Sequence, residues 1–449
     1  MQDSVDAWAN EVLTDNELLT RHTGQVQALR EVFSMACTRL ESKLPALEAN
    51  DPYAACDWID AQVSYLQSAI DYYVGRVAQH RKPRDGAGEI AQREALFLRA
   101  ADELAWSCYR ALHPRQALPP KPPPLTFFAA RGGLWALEHD KGFEYADEWG
   151  SKLEEAARMP LRLVGIPRWM AGEPWSLLLV VHELAHHVIR ERKLHETMPV
   201  ELSAAAGDFK GTWKGWIEEL LADLFATAAA GRDYVAALAE FLRADPARMK
   251  RAYSNYPPAY VRLDVLVAFL ELRGDAQVRA HLQLKIDDAS KVSLAHHLKA
   301  AAAVARAAFD SADLAGFWIQ APDNLAVATR ELGHGELDAA IVNAKNDPLK
   351  AIGTPVTALD EPRLWSCAIA RWWLGAERAF ADAAARARRA TAELALVACS
   401  AEGGVRAGQD VVAADACAEA LLGLGEASIR AAQQTEEKAM AVLETEAPT

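Results

Sequence analysis

The stretch Ser176-Leu-Leu-Leu-Val-Val-His-Glu-Leu-Ala-His186 constrains this chain more than any other. Its last five residues form an H-E-x-x-H pattern, and that pattern works only on an α-helix. Positions i and i+4 of a helix lie on one face, one turn apart. Two imidazoles so placed can grip one Zn²⁺, and Glu183 between them can reach a water on that metal. Pro174 sits well for the first turn of this helix, which is expected to run through His182 and His186 to about Arg192.

A catalytic zinc needs three protein ligands and an open position. A glycine three residues and a histidine six residues after His186 would complete one known spacing, that of the metzincins. Those positions hold Ile189 and Arg192, and His195 falls outside the spacing. The better candidate lies in Trp216-Ile-Glu-Glu219-Leu-Leu-Ala-Asp223-Leu-Phe-Ala, an E-x-x-A-D pattern on a second helical stretch. Glu219 and Asp223 share a helix face. Glu219 can supply the third ligand, and Asp223 can accept the spare N–H of His182 and so fix that ring.

H-E-x-x-H followed by E-x-x-A-D resembles the gluzincins, and the run from Glu219 to Gly231 is similar to the branch with the HtpX heat-shock membrane peptidases and the CAAX prenyl proteases. The resemblance implies His182, His186 and Glu219 as zinc ligands, Glu183 as general base toward a metal-activated water, and Asp223 behind His182. Members of that branch carry H-P-x-x-x-x-R after the glutamate helix, with its His and Arg near the substrate. Here the stretch is Tyr256-Pro-Pro-Ala-Tyr-Val-Arg262, with tyrosine in the histidine position. A phenol can donate to a developing oxyanion as an imidazole can, so Tyr256 and Arg262 join the candidate catalytic residues. The resemblance covers about residues 125–270. The branch's transmembrane helices are absent, so its membrane substrates are not carried over. The function implied is a zinc-dependent endopeptidase acting on a protein or peptide. The alternative is a catalytically silent binding or regulatory module on the same zincin fold.

The expected fold is mainly α: a zincin-like metallopeptidase core with a small β-sheet, flanked by helical domains. Apolar residues recur at helical spacing before residue 113, as in Val26, Leu29, Val32, Phe33, Met35 and Leu40. Residues 1–113 are therefore an N-terminal helical domain, with a loop at 81–88. Pro119-Pro-Lys-Pro-Pro-Pro124 marks 114–124 as an extended linker. The metallopeptidase domain spans 125–290. Within it, residues 125–128 and 161–166 look like short strands, and the second is the expected edge that would hold an extended peptide. The glutamate helix runs from about Lys214 to Ala230 and stops at Gly231. Residues 291–449 form a C-terminal helical domain with breaks near Pro322, Gly333–Gly335, Pro348–Pro355 and Gly403–Gly404. These helical flanks point to a protein partner or a narrow substrate.

The formal net charge of −14 leaves no basic surplus for nucleic acid or an anionic membrane. The acidic N-terminus lacks the pattern of a signal peptide, and the wide spacing of the six cysteines favours buried thiols. Together these point to the cytoplasm. Among the remaining residues, His187 points about 100° around the helix from His186 and is assigned to packing. Glu218 is assigned to a solvated face. Trp213, Trp216, Trp365, Trp372 and Trp373 are assigned to the core, and His296-His297 to a satisfied pair.

Overall fold

The computed structural model describes residues 2–14, 22–48, 52–80, 87–112, 123–129, 135–137, 162–243, 246–253, 255–275, 278–279 and 288–318, and also 363, 366–367 and 369–370. Four helices lead: α1 (Gln2–Thr14), α2 (Thr23–Glu48), α3 (Pro52–Ala78) and α4 (Glu89–Leu112). Three strands follow: β1 (Leu125–Ala129), β2 (Trp135–Leu137) and β3 (Leu163–Pro167). Two tight turns, Arg168–Gly172 and Pro174–Leu179, lead into α5 (Val180–Glu191). Next come α6 (Leu194–Ser203), α7 (Lys210–Phe241), α8 (Pro246–Met249), α9 (Ala259–Leu272) and α10 (Asp288–Asp310). The architecture is mainly helical with a small sheet. No helix among the described residues is long and apolar enough to cross a membrane.

The sheet order is β1-β3-β2, with β1 parallel and β2 antiparallel to β3. This corrects one expectation. The strand anticipated at 161–166 is present as β3, but it is the middle strand. Leu163, Val164 and Gly165 pair on both sides, so their backbone groups are not available to an added peptide.

Side chains alternate across the sheet with the period of two that a strand imposes. Phe128, Val164 and Ile166 enter the core shared by α4, α5, α6, α7, α9 and α10. Leu125, Phe127, Ala129 and Leu163 enter a second core with α1, α2 and α3. Thr126 is the polar exception in β1, and it is fully buried. Its N–H and its hydroxyl both donate to Asp102 Oδ1 at 2.9 Å, while His80 Nε2 donates to its carbonyl. Two residues on, the Gln79 amide takes the Phe128 N–H at 2.7 Å and donates to the Phe128 carbonyl at 3.2 Å. Side chains from the turn after α3 and from α4 thus close the outer edge of β1, which would otherwise offer unpaired backbone groups.

Asp102 is the centre of this closure. Its Oδ2 lies 3.0 Å from His22 Nε2 and 3.5 Å from His80 Nδ1. Burial pushes the carboxyl up, but the two imidazoles and the Thr126 donors outweigh burial and hold it at about 2.

Gly231 interrupts α7 with φ 60° and ψ −145°, a backbone region open to glycine and closed to other residues. The helix stop expected at Gly231 is therefore present, and the chain resumes a helical path to Phe241. Far along the chain, Arg363 donates to Ser107 Oγ and the Cys367 thiol to the Ala230 carbonyl beside that break. Among the described residues, Cys37, Cys108 and Cys367 are buried thiols outside any disulfide and Cys56 is an exposed one. The bulk of the proline-rich linker, residues 81–86 of the expected loop, the breaks expected beyond Pro322, and Trp365, Trp372 and Trp373 lie outside the described residues.

The Asp102 cluster sets a pH dependence. A carboxyl held at about 2 in the fold and near 3.9 when unfolded contributes about 2–3 kcal/mol above the unfolded value. That contribution is lost as pH falls from about 4 toward 2. Denaturant unfolding of Asp102→Asn at several pH values is expected to show lower stability at neutral pH and a flatter decline below pH 4 than wild type.

Candidate metal centre

The α5 helix packs on α7 through Leu184, Ala185, Val188 and Ile189 on one side and Leu220, Leu221, Ala222 and Leu224 on the other, all in one apolar core. This packing fixes which polar residues meet. His182, Glu183 and His186 leave α5 toward Glu219 and Asp223 of α7, and all but the half-buried Glu219 are buried.

Three donor atoms converge. His182 Nε2 lies 3.3 Å from His186 Nε2 and 3.2 Å from Glu219 Oε2, and His186 Nε2 lies 3.8 Å from the same oxygen. His182 Nδ1 is 2.8 Å from Asp223 Oδ1. A carboxylate only accepts, so Nδ1 carries the hydrogen, and in the neutral ring it is Nε2, facing inward, that holds the lone pair. Glu219 Oε2 is buried without a hydrogen-bond partner. Buried acceptors that face one another are unfavourable unless something positive sits among them. The group His182, His186 and Glu219 can hold a metal ion.

The charges agree. Burial works against a protonated His186, yet Glu218 and Glu219 raise it to about 10, so the pocket favours positive charge. Glu219 is held well below the usual carboxylate range: burial opposes this, and both histidines override it. With both histidines deprotonated, as metal binding requires, Glu183, Glu219 and Asp223 as carboxylates against the Arg262 guanidinium leave two negative charges for a divalent cation to balance.

Asp223 anchors the far side of His182. Arg262, on α9, donates through Nε to Oδ2 and through Nη2 to Oδ1 at 2.8 Å. The Tyr234 hydroxyl donates to Oδ1 at 2.6 Å. Burial would raise the Asp223 carboxyl, but Arg262 and His182 bring it to about 2. Arg262 is thus spent on Asp223 rather than turned toward a substrate. Its guanidinium carbon also stands 5.6 Å from the Tyr256 ring centre.

Glu183 is buried next to the cluster, and burial pushes its carboxyl up, against the pull of His182 and His186. Tyr256 is 44% exposed. Its phenol is pushed up to about 12, by burial first and then by the charges of Glu219 and Glu183, so it remains a hydrogen-bond donor.

The other assigned residues fall as follows. His187 is buried and its Nε2 donates to the Leu163 carbonyl at 3.2 Å, tying α5 to β3. Trp213 and Trp216 are buried, and Trp213 donates to His297 Nδ1 at 3.2 Å. Glu218 is less free than expected: it is half-buried, 3.0 Å from Arg190 Nη2 and 3.8 Å from His186 Nδ1. His195 lies 3.9 Å from Glu196 and is not among the three converging ligands. Tyr234 was not singled out from sequence. It is eleven residues beyond Asp223 and past the break at Gly231, so spacing alone does not place it.

Compared with family models, with curated proteins and with solved structures, the chain gives no match.

Replacing the Asp223 carboxylate by a neutral amide removes the charge that holds the His182 N–H and the Arg262 guanidinium, and so loosens the His182 ring. Asp223→Asn is expected to lower Co²⁺ affinity about 10–100-fold, as loss of a carboxylate behind a metal-bound histidine does. Titration followed by the visible absorption of Co²⁺ checks this, and an unchanged affinity would count against the centre.

Proposed function

We propose that this chain is a zinc-dependent endopeptidase, with His182, His186 and Glu219 holding the metal and Glu183 as general base. One observation carries the reading. Ligands about 2.0–2.1 Å from a tetrahedral zinc stand about 3.3 Å from one another, and the three donor atoms lie 3.2, 3.3 and 3.8 Å apart. Two imidazoles and one carboxylate also form a known catalytic zinc set, which leaves one position open. When bound, zinc supplies Lewis acidity to a scissile carbonyl and lowers the pKa of its water.

The chain's own residues do the rest. The Glu183 carboxylate, its basicity raised by burial, takes the proton of the attacking water and passes it to the leaving amine. Tyr256 donates its hydroxyl hydrogen to the oxyanion as it forms. Arg262 acts through Asp223, so in this reading it is a positioning residue. The peptide-holding role first assigned to 161–166 passes to β2, the outer antiparallel strand among the described residues, which packs near α5. The substrate is a protein or peptide, the location is the cytoplasm, and the helical flanks serve partner or substrate selection.

Two substitutions separate binding from chemistry. Glu183→Gln is expected to retain about one zinc per chain by elemental analysis while new protein N-termini, counted across the proteome of the source cell, disappear. Tyr256→Phe is expected to keep the zinc and lower kcat about 100-fold, the effect of deleting one oxyanion donor. Zinc retained by a wild-type protein that generates no new N-termini would favour the silent binding module. Undiminished cleavage by Glu183→Gln would sink the mechanism.

A further inference from the structure

The path of α7 past Gly231 brings a residue to the metal centre that nothing in the motif requires. In an unbroken helix the eleven residues from Asp223 to Tyr234 would advance the axis by about 16.5 Å. That is well beyond the combined reach of a tyrosine and an aspartate side chain. Yet the Tyr234 hydroxyl stands 2.6 Å from Asp223 Oδ1. The non-helical backbone of Gly231, φ 60° and ψ −145°, folds the chain back and makes the contact possible.

The contact sits at a sensitive point. Asp223 Oδ1 accepts from His182 Nδ1 at 2.8 Å, from Arg262 Nη2 at 2.8 Å and from Tyr234 at 2.6 Å. Tyr234 is also 3.5 Å from His182 Nδ1 itself. Arg262 grips the carboxylate from α9, and Tyr234 grips it from beyond the break, so donors from two directions hold the plane of the carboxylate. That plane determines where the His182 ring stands. Tyr234 is fully buried and has no route to solvent or substrate.

We infer that Tyr234 is a positioning residue for the metal centre, acting through Asp223 on His182, and that the break at Gly231 exists to deliver it. The inference rests on the metal-binding reading of His182, His186 and Glu219 but not on peptidase activity. A group that orients a ligand should change metal affinity. A group that only fills the core should change stability alone.

Tyr234→Phe removes the hydroxyl and keeps the ring. The matched control is Tyr109→Phe, because Tyr109 is equally buried and donates to Glu191 Oε1 at 3.2 Å at the opposite end of α5. Zn²⁺ affinity is measured on the full-length chain by competition with a chromophoric chelator, and the metal-free Tm is measured alongside. Tyr234→Phe is expected to weaken Zn²⁺ binding about 3–10-fold, less than loss of Asp223 itself. Tyr109→Phe is expected to lower the metal-free Tm and leave affinity unchanged. Equal Zn²⁺ affinity for wild type and Tyr234→Phe would overturn the inference while leaving the centre intact. No Zn²⁺ binding by wild type would overturn the centre and the inference together.

Discussion

Asp223 carries its charge with no exposed surface, and the arrangement around it follows from that. A lone buried carboxylate is strongly unfavourable, and only close donors and an opposite charge offset the loss of water. Arg262 supplies the charge, and His182 and Tyr234 supply further donors. Those partners come from α9, α5 and the segment beyond Gly231. One buried group therefore ties three separate parts of the chain to the ligand helix. The same hydrogen bond that satisfies Asp223 turns the lone pair of His182 inward, toward His186 and Glu219. Satisfying one acid thus leaves a triad of inward-facing donor atoms that can hold a metal ion.

A second buried acid plays a comparable part at the sheet. Asp102 closes the outer edge of β1 with His22, His80 and Thr126, and so joins the start of α2, the turn after α3 and α4 itself to the strand that pairs with β3. The His187 bond to the Leu163 carbonyl then joins β3 to α5. A polar route of short contacts runs from the N-terminal helices to the motif helix, alongside the apolar packing of two cores that meet at the sheet.

Local spacing makes much of the centre legible in the sequence. His182, Glu183 and His186 need only one helix turn to come together, and Glu219 and Asp223 need one more. Helix geometry alone determines which of them share a face. The strands at β1 and β3 were legible from their apolar runs, and the stop at Gly231 from its glycine. What depends on long-range pairing was not. The central place of β3 is determined by β2, whose pairing no local pattern announces. Arg262 matched a motif offset, but its partner Asp223 lies 39 residues away. Tyr234 reaches the site only because the backbone leaves the helix between it and Asp223, and a reading by helix period carries past that point in the wrong direction. The His22, His80 and Asp102 cluster draws on two helix ends and a third helix and has no spacing signature at all.

The central claim is a zinc held by two imidazoles and a carboxylate between α5 and α7. X-ray absorption at the zinc edge, on the purified full-length protein, tests it most directly. The account predicts a first shell of nitrogen and oxygen at about 2.0–2.1 Å with the multiple scattering of two imidazoles, lost in His182→Ala. A shell containing sulfur at about 2.3 Å, or a zinc signal unchanged in His182→Ala, would contradict it.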